Sequence, residues 1–289
     1  MTKIKKYLSS HPHLTYIAPI SMWTIVFILA PLIVIFYFSF LEFSPTGQIL
    51  NNFTIKHYAD LFDPGYFTII VRTLLYGLGT NLICLLLGYS LAYWVVKFGG
   101  KWKTLLIFLI ILPSWTCYLI RIYALKTLIA YNGFINSILL NFNIISSPID
   151  ILYTPYAVLL ALIFTWLPFM ILPIYASLEG LDRSLLEASL DLGANPIQRF
   201  FSVTLPLTKG GIIAGTILVF IPVLGEWIIP ALLGGAKVMM AGNLVTLHFL
   251  TAGNIPAGSS IAAVLTAIIV LILYLCIRLG GEEALERIV

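Results

Sequence analysis

An all-α, polytopic membrane protein with six transmembrane helices is the fold class this sequence predicts, and three observations predict it. Hydrophobic residues fill 60% of the 289 positions, charged residues only 10%, and the mean hydropathy is +1.02. Too little polar surface remains to coat a water-soluble globule. Apolar stretches of about 20 residues, the length of a bilayer-crossing helix, recur along the chain. They are long and unbroken, unlike barrel strands that alternate over about ten residues, so each segment must satisfy its backbone polar groups internally, as a helix does.

The first run extends from Thr15 to Phe40, behind Lys3, Lys5 and Lys6. That pairing looks like a signal peptide, but the run is too long and lacks an A-x-A site, so a retained anchor is expected. Further spans are expected at Thr68 to Val96, Thr104 to Ile120, Thr154 to Leu178, Gly210 to Leu232 and Ser259 to Ile277. Thr127 to Ile149 is uncharged and long enough to span. Its Asn132, Asn136, Asn141, Asn143, Ser146, Ser147 and Pro148 are too polar for lipid, so it is expected outside as a short amphipathic helix and loop.

Lysine and arginine set the orientation. With the N-terminus in the cytoplasm, eleven of the sixteen fall in cytoplasmic segments, among them Lys97, Lys101, Lys103, Arg183, Arg199, Lys209, Arg278 and Arg287. Both termini are therefore expected inside. The expected organisation is a cytoplasmic tail 1–14, a six-span domain 15–279 and a cytoplasmic tail 280–289. External loops fall at about 41–67, 121–153 and 233–258, and cytoplasmic loops at about 97–103 and 179–209.

Cys84, Cys117 and Cys276 lie in apolar runs without metal or disulfide spacing and read as small hydrophobes. The four histidines are scattered, so no metal site is expected. A phosphate-binding G-x4-G-K-[ST] loop is also missing, since Gly99-Gly100-Lys101-Trp102 lacks the first glycine and the hydroxyl residue.

The cytoplasmic loop from Glu179 to Lys209 carries the most information. Ser184-Leu185-Leu186-Glu187 has the form of a capping box, which predicts Ser184 as N-cap and Glu187 reaching back to its amide. Gly193 suits the left-handed position after a helix, and Asn195-Pro196 supplies an N-cap and a first-turn proline for a second helix. Leu185, Leu186, Leu190, Phe200 and Phe201 give these helices apolar faces that need covering by the bundle or by a partner.

Glu187-Ala188-Ser189, Gly193 after three more residues, and Val203-Thr204-Leu205-Pro206 after nine more resemble the E-A-A-x3-G-x9-I-x-L-P signature of bacterial ABC importer permeases. Ser189 and Val203 depart from the usual alanine and isoleucine but keep their size. The resemblance implies a type I ABC importer permease fold, with Ser184, Glu187, Ala188, Ser189, Gly193, Asn195, Pro196, Leu205 and Pro206 forming the loop that docks on an ATPase. This chain would then be non-catalytic and hold no cofactor, with ATP and Mg bound by the partner ATPase.

Leu112 to Thr116, Ile120 to Ala124, Leu167 to Tyr175 and Gly225 to Gly235 look like the polyamine (spermidine/putrescine) branch of that family. This implies a second homologous permease chain, an ATPase dimer, an external or periplasmic polyamine-binding protein and the bacterial inner membrane, with no nucleic acid among the partners. Glu226, an acid within the fifth span beside Gly225 and near Pro222 and Pro230, has two open readings. It either lines a polar path at an interrupted helix, or it is structural, hydrogen-bonded within the bundle or paired with Arg121. Trp115, Tyr118, Trp166 and Trp227 join it as candidate path residues, their rings offering cation–π contact or lipid-interface anchoring.

Two other readings compete with polyamine import. One is an ABC permease for iron, thiamine or an anion, which would keep the loop and change the fifth-span acid. The other is an ion-coupled secondary transporter, which needs an internal repeat that the sequence does not display.

Overall fold

Proline, glycine and short polar loops punctuate the apolar runs and thereby set the element order. The protein, a computed structural model, is described over residues 12–280. The expectations for Lys3, Lys5, Lys6 and Arg287 lie outside the described residues. Two units are distinguished, one of residues up to Asp63 with Val245–Val264, the other of Pro64–Leu244 with the residues from Leu265 onward.

In the first unit, α1 (Pro12–Phe38) is followed by a hairpin of β1 (Leu41–Phe43) and β2 (Ile49–Phe53), then α2 (Lys56–Asp60). From Ile20 to Tyr37 the large side chains of α1 are largely exposed, as expected of a helix whose surroundings are hydrocarbon. The hairpin is a departure from the all-helical expectation. Its signal was the turn run Ser44-Pro45-Thr46-Gly47, where Gly47 takes φ +83°. Ser39, fully buried, ties α1 to α2 through a 2.7 Å hydroxyl contact with Tyr58.

The second unit is a helical bundle. α3 (Pro64–Phe98) leads through a 3-10 turn (Gly100–Trp102) into α4 (Lys103–Ile111), a second 3-10 turn (Leu112–Trp115), α5 (Tyr118–Ile129) and α6 (Phe134–Asn141). Then come α7 (Pro155–Glu179), α8 (Arg183–Asp191), α9 (Pro196–Arg199), a π-helical turn (Phe200–Thr204), α10 (Leu205–Leu207) and α11 (Lys209–Leu224). Short helices α12 (Ile228–Leu233) and α13 (Ala241–Thr246) follow. A π-helical turn (Leu247–Thr251), within the first unit, precedes α14 (Ile255–Gly280), which runs from the first unit into the second.

Among the described residues, four helices are long and apolar enough to cross a membrane, and six spans result if each of two bent pairs counts as one. One pair revises the third expected span. Thr104 to Ile120 is not one rod, because Gly100–Trp115 meets Tyr118–Asn141 at 96°. Pro113 opens the 3-10 turn and Thr116 is extended, its hydroxyl donating to the Pro113 carbonyl, so the helical ladder stops there. The polar segment after Thr127 forms α6, and the buried Asn136 ties it down by donating to the carbonyls of Ala130, Tyr131 and Ile149.

α7 is the central element, with Ala157, Val158, Ala161, Leu162, Met170, Ile171 and Ile174 all at 1% exposure or less. α3 supplies Cys84, Ala92 and Val95 to this core, α5 supplies Ile122 and Ile129, and α11 supplies Val219, Val223 and Leu224. The cysteines are free, and Cys117 is exposed instead of packed as a small hydrophobe.

α11 crosses α7 at close range because glycines face it. A Cβ on Gly211 would fall on Ser177 and the Pro173 carbonyl, and one on Gly215 would fall on Met170. The Gly211 to Gly215 pattern therefore packs helices within this chain. Gly211→Ala is expected to destabilise the bundle by about 1–3 kcal/mol, through overpacking against backbone. Gly65→Ala, with nothing within 4 Å of the added carbon, serves as the neutral control. Thermal unfolding of the two variants in detergent checks this.

Candidate coupling loop and pathway site

The loop between α7 and α11 begins with a helix capped by an unexpected residue. Asp182 is the N-cap of α8, its Oδ1 accepting the Ser184 amide at 2.9 Å. This corrects the expected Ser184 cap with Glu187 closing a box. Asp182 stands two residues earlier with its own backbone extended, and its carboxylate is a strong acceptor for the free first-turn amides. Glu187 therefore lies one turn inside the helix, exposed, with its side chain left over for other work. Hydrogen bonds from Ser184 hold the Asp182 carboxyl below its ordinary pKa.

Gly193 takes φ +82° with open space around it, the conformation that ends α8 and that a β-carbon would strain. Asn195 then caps α9 in a full capping box, its Oδ1 accepting the Gln198 amide at 2.8 Å and its own amide donating to Gln198 at 3.0 Å. Pro196 occupies the first helical position. Buried Ser189 turns its hydroxyl back to the Leu186 carbonyl at 2.7 Å.

The apolar side chains of the loop divide into two sets. Phe200 meets α3, edge-on to Tyr89 and Tyr93 with ring centroids 5.5 and 5.9 Å apart. Leu185, Leu190, Leu192, Ile197 and Phe201 stay exposed, by 47, 49, 88, 70 and 62%. Ala188 and Pro206 are exposed too, whereas Leu205 is half-buried. Under α8 lies a cavity of about 360 Å³, lined in part by Tyr93, Lys97, Lys103, Glu179, Glu187 and Arg199. Within it Lys103 pairs with Glu179 at 2.9 Å.

The fifth apolar run breaks where the lone acid sits. α11 ends at Leu224 and α12 starts at Ile228, so the first amides of α12 have no helical partner. Glu226 supplies one. Its Oε1 accepts from Trp227 at 3.0 Å, Ile228 at 2.9 Å and Ile229 at 3.4 Å, while its Oε2 accepts the Tyr118 hydroxyl from α5. Glu226 is 7% exposed, and this network is what satisfies it.

Of the two readings left open by the sequence, the hydrogen bonds describe the structural one. The pairing with Arg121 is not formed. Arg121 donates to the Pro113 carbonyl at 3.1 Å and faces the Tyr118 ring at 5.7 Å, because the bend before α5 presents that carbonyl to it.

Tyr118, Glu226 and Trp227 are thus brought together, with Trp227 42% exposed. Trp115 is 73% exposed and packs on Phe108, and Trp166 tilts against Phe169. Neither takes part in the polar contacts of Glu226 described above. Asn243 completes the break, donating to the Trp227 carbonyl at 2.8 Å and accepting from the Met240 amide at 3.1 Å. A Cβ on Gly242 would strike the carbonyls of Gly225 and Glu226. The sequence reading passed over Asn243 and Asp182, for which polarity beside a break and beside a helix start were the available signals.

Residues 84–280, which contain both the loop and the break, match the family model described as binding-protein-dependent transport system inner membrane component. The chain belongs to that family. This inner membrane component is 43% identical over 262 residues to the spermidine/putrescine transport system permease protein PotB of Haemophilus influenzae, covering 91% of this chain and 92% of that one. It is 40% identical to PotB of Escherichia coli, over 87% and 91% of the two chains. Among solved structures, a bacterial ABC transporter involved in import of the acidic polysaccharide alginate superposes with a TM-score of 0.73 at 14% identity, covering 96% of this chain and 98% of that one. The MetNI methionine ABC transporter gives 0.53 at 15% identity, over 77% and 99%. These two likenesses establish the shared fold.

Glu226→Ala leaves three amides and a hydroxyl without their acceptor and is expected to cost about 3 kcal/mol; Tyr118→Phe is expected to cost about 1 kcal/mol. Thermal unfolding of the purified family member in detergent measures both. Asp182→Ala is expected to speed hydrogen exchange at the Ser184 amide. With Asp182 intact, the cap persists above the ordinary carboxylate pKa and is lost as pH falls through the lowered value, which exchange measured across acid pH would follow.

Proposed function

We propose that this chain is a transmembrane permease subunit of an ATP-driven importer for polyamines of the spermidine/putrescine class. The observation that carries the substrate is the 43% identity, over 91% of the chain, to a spermidine/putrescine permease. A second related permease shares the translocation path. A separate ATPase dimer binds ATP and Mg, and an external or periplasmic binding protein delivers the substrate. Loops 97–103 and 179–209 and both termini face the cytoplasm, a sidedness supported by the lysine and arginine distribution.

The ATPase docks on α8, whose exposed Leu185 and Leu190 and neighbouring Leu192 form an apolar face suited to a groove in a partner. Ser184, Glu187, Ala188, Ser189, Gly193, Asn195, Pro196, Leu205 and Pro206 make up the docking and coupling segment. Glu226 shapes the path by holding the helix break open, and Trp227 and the rings of Tyr118, Trp115 and Trp166 are its candidate aromatic contacts. An anion-transporting relative, the sulfate permease CysT of Salmonella typhimurium, is 31% identical over 65% of this chain, so anion import is the second reading.

Vesicles holding the full assembly are expected to take up spermidine or putrescine only with ATP, and excess sulfate is expected not to compete. Sulfate competition without polyamine competition would establish the second reading instead, and uptake driven by an ion gradient without ATP would overturn both. Gly193→Val is expected to lower transport at least several-fold while membrane insertion persists, because its φ of +82° is costly for a β-branched residue. With the native cysteines, including the exposed Cys117, replaced, Ser202→Cys, at an exposed position of the same loop, is expected to resist an impermeant thiol reagent applied from outside the intact membrane and to react after permeabilisation.

A further inference from the structure

The chain bends by 63° between Pro196–Leu207 and Lys209–Leu224. Thr208, the residue at the bend, is fully buried with φ −100° and ψ 6°, outside regular helix. Its hydroxyl donates to the Thr204 carbonyl at 2.9 Å, which spends its only proton. The 3.0 Å contact between Tyr89 and Thr208 therefore has Tyr89 as donor. That bond reaches across 119 positions of sequence to the buried face of α3. Eight residues earlier, the start of the π-turn projects Phe200 edge-on against Tyr89 and Tyr93 of the same helix. A π-turn carries one residue more than a regular turn and shifts the side chains that follow it, the kind of irregularity found at functional sites.

The two ends of the loop are held differently. α8 lies over a cavity of about 360 Å³ and keeps Leu185 and Leu190 exposed. The segment Phe200 to Thr208 is pinned, by two rings and a hydroxyl, to α3, which meets α7 at Gly88 and α11 at Gly77. We infer that Tyr89, Phe200 and Thr208 are positioning residues for coupling, forming a clamp that passes displacement of the loop sideways into α3. The loop thus acts on the bundle at two places, α11 by covalent continuity and α3 through the clamp. Without the Tyr89 bond, movement of α8 would be absorbed at the Thr208 bend. This inference rests on the proposed docking of an ATPase on α8.

The test uses the reconstituted assembly, with substrate transported per ATP hydrolysed as the readout and the melting temperature in detergent alongside. Tyr89→Phe and Thr208→Val are each expected to lower that ratio about fivefold, the worth of one net hydrogen bond. The double variant should fall no further than Thr208→Val alone, since that change already removes the acceptor of the Tyr89 bond. Thr208→Ser restores the hydroxyl and should restore the ratio. A merely structural role would lower the melting temperature and leave the ratio at its wild-type value, which overturns the clamp, as does a Thr208→Ser variant as uncoupled as Thr208→Val. Leu190→Glu tests the underlying reading separately by co-purification of the ATPase. Retention of the ATPase by that variant would refute docking on α8, whereas its release together with an unchanged ratio in Tyr89→Phe would refute the clamp alone.

Discussion

Backbone amides and carbonyls in hydrocarbon must find partners within the protein, and the whole bundle is arranged around that requirement. Where a helix runs uninterrupted, as in α3, the ladder itself meets it. Where they stop, a side chain is stationed at the stop. Glu226 takes three amides at the start of α12, Thr73 accepts the Ala241 amide at the start of α13, and Thr154 caps α7. Each such break stays open in shape while leaving few polar groups orphaned, so an irregular path can exist inside a stable bundle.

The same requirement explains the close approach of α7 and α11. With glycine at 211 and 215, the two backbones meet with little side-chain material between them, and dispersion acts over a long seam. α7 can thereby serve as the mast on which α3 and α11 both pack, and the loop between α7 and α11 is attached at both ends to rigid helices.

Much of this was legible in the sequence because apolar length and turn chemistry are local properties. The runs beginning at Thr68 and Thr154 gave α3 and α7 nearly intact, and Gly193 and Asn195-Pro196 gave the turn of the loop, since φ restriction and capping depend on a few adjacent atoms. The hairpin after α1 and the right-angled break before α5 were hidden, the first because strands of three and five residues carry too little period, the second because proline is tolerated inside many membrane helices. Ser184 and Asp182 offered nearly equivalent capping chemistry, and only the chain path decided between them. The fate of Glu226 was illegible for another reason: its Tyr118 partner stands 108 positions away, and nothing in the sequence around either residue announces the pairing.

The carboxylate of Glu226 also sets the electrostatic character of its surroundings. Three amides and a phenol already share its charge, so a cation approaching it would meet a braced array of dipoles in place of a bare anion. A fully exposed acid at that depth would be a deep well that traps what it attracts. On the proposed path, a charge spent on holding the backbone leaves a shallow one, and shallow wells favour transit over residence.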